Sequence, residues 1–94
     1  KYATALGYQS AYKGVKQYSI LIGAYCGVEG WSTGRYGGDR CILIGSRARA
    51  STNTATNEIV IGSANDNSGT DPATGEGSNI AVIGNKHITQ INGA

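Results

Sequence analysis

One short pattern recurs along this chain, an apolar run closed by glycine. It reads Ala5-Leu6-Gly7, Ile20-Leu21-Ile22-Gly23, Ile42-Leu43-Ile44-Gly45, Ile59-Val60-Ile61-Gly62 and Ile80-Ala81-Val82-Ile83-Gly84. The closing glycines stand 16, 22, 17 and 22 residues apart. A unit this short cannot bury its own apolar face and must stack on the next, which is the signature of a solenoid. The two longer intervals carry insertions, at about residues 27–40 and 63–79. The spacing predicts one repeat-built fibrous domain over residues 1–94, with repeats closing at Gly7, Gly23, Gly45, Gly62 and Gly84.

Side chains alternate between the faces of an extended segment, so Ile20 and Ile22 point one way and Leu21 the other. Both faces are apolar in four of the five runs. A strand apolar on both faces must be covered on both, as in parallel sheets. One face can line the inside of its own coil. A coil this thin has nothing left to cover the other, which predicts an obligate oligomer. Glycine after each run permits a tight corner and a close approach of backbone, expected here from another chain. The residue before each first isoleucine is small or polar: Ser19, Cys41, Glu58 and Asn79. Cys41 thus replaces a serine, which favours packing over chemistry. Cys26 and Ala48 both lie three residues past a closing glycine, so the interior there has little room. No segment carries a sustained helical stripe.

Composition explains why an ordinary monomeric globule is not expected. Leu, Ile, Val and Phe number only 17 of 94 residues, in a range usual for disorder, yet the net charge is only +2. No apolar run approaches the ~20 residues of a membrane-spanning helix, and no signal peptide is visible, so membrane insertion is not expected. The ends read like those of a piece of something longer. Glycine shows no period of three, which excludes collagen. Cys26 and Cys41 are too few for a disulfide scaffold and lack zinc-site spacing, so reduced thiols are expected.

The x-Ile-Leu-Ile-Gly pattern, with small residues between runs, resembles the head repeat of YadA-type trimeric autotransporter adhesins, which also occurs in distal bacteriophage tail fibres. The resemblance covers residues 3–62 and 80–84, and residues 63–79 depart from it. The ending Ile83-Gly84-Asn85-Lys86-His87-Ile88-Thr89-Gln90-Ile91-Asn92-Gly93-Ala94 is similar to the segment that precedes a self-cleaving intramolecular chaperone in phage fibres and tailspikes. What this implies is an all-β, intertwined homotrimeric parallel β-roll or β-solenoid fibre, left-handed in that family. Its trimer core would be Leu6, Ile20, Leu21, Ile22, Ile42, Leu43, Ile44, Ile59, Val60, Ile61, Val82 and Ile83. The implied role is a receptor-binding tip on the distal tail fibre of a virion, attaching without enzymatic action to a lipopolysaccharide glycan or outer-membrane protein. The alternatives are a bacterial adhesin head on the cell surface and a passive fibre shaft.

Recognition residues are expected where aromatic and polar side chains collect. All seven aromatics fall in the first 36 residues. Tyr and Trp offer large, stiff contact surfaces with a polar handle. Trp31, Arg35, Tyr36 and Asp39 in the first insertion, with Tyr25, form one candidate receptor contact. The second insertion, rich in Asn, Asp, Ser, Thr and Gly, reads as an exposed loop and offers Asp66, Asn67 and Asp71. Residues 1–50 carry a charge of +5 and residues 51–94 carry −3. Arg35, Arg40, Arg47 and Arg49 would favour anionic sugars or phosphates, but no nucleic-acid-binding motif accompanies them. The run Asp66-Asn67-Ser68-Gly69-Thr70-Asp71 lacks the spacing and terminal glutamate of a calcium loop. No metal or other cofactor is expected, His87 near a trimer axis being the one conceivable ligand. The acids Glu29, Asp39, Glu58, Asp66, Asp71 and Glu76 form no local pair suited to glycoside hydrolysis, and His87 has no triad partner, so no enzymatic activity is expected. Thr52-Asn53-Thr54-Ala55-Thr56 occurs once and does not make an ice-binding ladder.

Overall fold

Each apolar run forms a strand of three residues: β1 (Thr4–Leu6), β2 (Ile20–Ile22), β3 (Ile42–Ile44), β4 (Ile59–Ile61) and β5 (Ala81–Ile83). The structure is a computed structural model, and it describes residues 3–11, 18–27, 38–52, 54–66 and 68–92. The strands pair in parallel and in chain order, β1-β2-β3-β4-β5. Successive repeats therefore stack as rungs of a β-solenoid, as the glycine spacing predicts. No helix occurs among the described residues.

Register follows the repeat. Ala5, Leu21, Leu43, Val60 and Val82 form the central column of the sheet. Leu21, Leu43 and Val60 are fully buried inside the coil. The last rung corrects the sequence alignment by one residue. Ile59 pairs with Ala81, so Ile80 and not Asn79 stands below Glu58. Asn79 is needed one position earlier, at a left-handed corner (φ 68°) stacked on Asn57 (φ 58°). There Asn57 Nδ2 donates to Asn79 Oδ1 at 2.8 Å. Asparagine tolerates that backbone better than a branched side chain does.

Small residues fill the opposite wall of the coil. Cys26, Ala48 and Ala73 are all fully buried, joined through Gly27 N to Ala48 O (2.7 Å) and Arg49 N to Ala73 O (3.1 Å). The segment 63–79 is thus only partly the exposed loop that its composition suggests. Its residues 73–75 supply the missing rung, with Thr74 bridging Arg49 in parallel and Gly75 N donating to Arg49 O at 2.8 Å. Ala73 is small enough to continue the Cys26–Ala48 column. Periodicity missed it because it lies eleven residues after Gly62, whereas Ala48 lies three after Gly45.

The glycines that end β1 to β4 are demanded by this stacking. At Gly23 (φ +134°), a Cβ would stand 2.5 Å from the carbonyl oxygen of Gly45 on the next rung. The backbone that forbids a side chain there is the chain's own next coil, where a second chain had been expected.

Candidate functional site

The outer face of the sheet is the feature a single chain leaves unexplained. Two columns run along it: Thr4, Ile20, Ile42, Ile59 and Ala81, and beside them Leu6, Ile22, Ile44, Ile61 and Ile83. Leu6 is 65% exposed, Ile83 57%, and Ile20, Ile22, Ile59 and Ile61 between 37% and 41%. The strands are apolar on this side because β-branched residues pack well on a pleated surface, yet the described residues leave most of it exposed. A contiguous exposed aliphatic face of this kind marks an interaction surface. Of the residues expected in a trimer core, Leu21, Leu43 and Val60 line the chain's own interior, so their burial needs no second chain. Val82 shares their column. Leu6, Ile20, Ile22, Ile42, Ile44, Ile59, Ile61 and Ile83 stand outside.

Side-chain stacks flank this face at the coil corners. Beyond the strand ends, Tyr8 meets Tyr25 edge-on, with ring centroids 5.5 Å apart. The Arg47 guanidinium lies 4.4 Å above the centroid of the Tyr25 ring. Before the strands, Arg40 lies 5.0 Å above the Tyr18 ring and pairs with Asp39 at 2.6 Å. Tyr25, Arg47, Tyr18 and Arg40 all have left-handed backbones, with φ between 54° and 64°. Such a backbone costs a residue with a Cβ roughly 1–2 kcal/mol.

Among the expected recognition residues, Trp31, Arg35, Tyr36 and Asn67 lie outside the described residues. Tyr25 and Asp39 belong to different corners, one beyond and one before the strands. Asp66 builds a closed turn, its Oδ1 accepting from the amides of Ser68 (2.9 Å) and Thr70 (3.1 Å). The Thr70 amide leads in holding its carboxyl below the usual carboxylate range. Asp71 accepts a 2.7 Å contact from His87 Nε2 and a 3.3 Å contact from Lys86 Nζ. His87 leads, with Lys86, in depressing the Asp71 carboxyl. His87 is thus engaged at the surface by Asp71. Among the described residues, no three His, Cys, Asp or Glu side chains gather as metal ligands would, and no helix is long and apolar enough to cross a membrane.

Sequence reasoning passed over one interior acid. Glu58 is fully buried, and its Oε2 accepts a 2.6 Å hydrogen bond from Ser51 Oγ. Its place before the strand, in line with Ser19 and Cys41, was the available signal, since both of those are buried too. The two thiols are buried as well. Burial pushes the Cys26 thiol up to about 12 and raises that of Cys41.

No protein-family model, curated protein or solved structure shows significant similarity to this chain.

Proposed function

We propose that the chain is the attachment region of a homotrimeric fibre, of the kind found at the distal end of phage tail fibres, which grips a bacterial surface receptor without enzymatic action. The observation that carries this reading is the exposed double column of isoleucines and leucine on the outer sheet face. Copies of the same chain cover it economically, since each brings an identical aliphatic surface; the number three comes from the resemblance to YadA-like heads. Three identical corner and loop surfaces would then act together, converting weak contacts with a glycan or outer-membrane protein into avid binding.

Two measurements test this. Sedimentation equilibrium of the purified chain is expected to give a trimer; a monomer at all concentrations overturns the assembly. Fluorescently labelled chain, incubated with a panel of Gram-negative strains, is expected to decorate a restricted subset. Uniform absence of binding by a well-formed trimer would overturn the receptor-binding role and leave a shaft.

A further inference from the structure

Arg47 is held differently from the other described arginines. Arg40 is neutralised by Asp39 at 2.6 Å, and Arg49 Nε donates to Thr74 Oγ1 at 3.2 Å. The Arg47 guanidinium makes no ion pair or side-chain hydrogen bond among the described residues. It is nonetheless fixed in place. The Tyr25 ring lies against one side at 4.4 Å. Gly69, in the turn capped by Asp66, lies against the stem, where a Cβ would come within 2.7 Å of Arg47 Cδ and Nε. Tyr8, an exposed residue, extends the stack. The chain places Tyr25 and Arg47 on left-handed backbones, where asparagine fits at lower cost and is used at Asn57 and Asn79.

The geometry points to the Tyr8–Tyr25–Arg47 stack as a binding site for an acidic saccharide, a sugar ring bearing a carboxylate or phosphate. An immobilised guanidinium fork takes such an anion through paired hydrogen bonds, and the exposed Tyr8 face packs against the apolar side of the ring. A nucleic acid is a poorer match. Its affinity depends on neutralising many phosphates, and the described part of this corner offers one uncommitted cation. This inference deepens the attachment reading by naming the ligand class at one of the fibre's surfaces.

The test uses nuclear magnetic resonance titration of the assembled chain with trigalacturonate, its neutral methyl ester, mannose 6-phosphate and a single-stranded DNA dodecamer. Trigalacturonate or mannose 6-phosphate is expected to shift the amides of residues 8, 25 and 47, and the response to each identifies which anion the site prefers. The methyl ester should bind roughly tenfold more weakly, as expected for loss of the charge-assisted bond. Arg47→Asn suits the left-handed corner and preserves the fold, and it should abolish the shifts. Arg47→Lys should retain only part of the affinity. Unchanged titration by Arg47→Asn, equal binding of the ester, or tighter binding of DNA than of either acidic sugar overturns the proposal. A trimer that decorates bacteria regardless of Arg47 sinks this site alone. Failure of the attachment reading would show instead as absent cell binding with the acidic-sugar shifts intact.

Discussion

Ser51 Oγ donates a 2.6 Å hydrogen bond to Glu58 Oε2 in the interior of the coil, where Glu58 has no exposed surface. The Ser51 amide approaches both carboxylate oxygens, at 3.3 and 3.4 Å. Gly75 packs so closely that a Cβ there would overlap Glu58 Oε1. Removing the hydroxyl leaves a buried carboxyl group under-satisfied. Ser51→Ala is expected to cost about 1–3 kcal/mol, read from the urea midpoint. A midpoint matching that of the parent chain would show that the hydroxyl is dispensable.

The two faces of the sheet should respond in opposite ways to substitution. Leu43→Ala removes a fully buried side chain and should cost about 2–5 kcal/mol of stability. Ile22→Lys places a charge on the outer face and should lower the assembled mass in sedimentation while the circular dichroism of the sheet persists. If the lysine variant sediments like its parent, that face is not where the copies meet.

Gly23→Ala tests the stacking of the rungs. The new Cβ would press on the Gly45 carbonyl at 2.5 Å from a backbone at φ +134°. A loss of at least about 3 kcal/mol is expected, because the strain and the overlap act together. Thermal unfolding within a degree of the parent would contradict the rung spacing.

Alkaline pH should destabilise the fold through the thiols. Burial raises Cys26 from 9.0 to about 12, so the unfolded chain loses this proton first. The contribution is complete below pH 9 and is lost between pH 9 and about 12 as the unfolded thiolate forms. Urea midpoints should therefore fall across that window, and Cys26→Ser, whose hydroxyl does not ionise there, should flatten the fall. A parallel decline in parent and variant would assign the effect to other groups.

Acid should release the C-terminal segment from the second insertion. The Asp71 carboxyl is depressed below 3.8 chiefly by His87 and also by Lys86. The contact is complete above that value and disappears as pH falls through the lower value of the folded chain. The amides of Lys86 and His87 are expected to shift in that range, and Asp71→Asn should remove the transition. Persistence of the shift in Asp71→Asn would place its origin elsewhere.

The sequence by itself determined the rungs and their phase. Three-residue apolar runs closed by glycine admit a parallel stack, and Leu21, Leu43 and Val60 had to point away from their isoleucine neighbours because side chains alternate along a strand. Apolar residues on both faces also announced a surface that the coil could not cover alone. Tertiary structure decided which backbone crowds each glycine, that Ala73 completes the small-residue wall, and that Asn79 belongs to a corner ladder, moving Ile80 into line with Glu58. Tyr25 and Arg47 each stand two residues past a closing glycine, 22 positions apart like Gly23 and Gly45, so the repeat aligned them and tertiary structure added only the seating of the guanidinium on the ring. Alternation is a local property of an extended chain and is visible in its residues. The position of an insertion against the coil depends on contacts between rungs, and a repeat of unequal length does not encode those in its spacing.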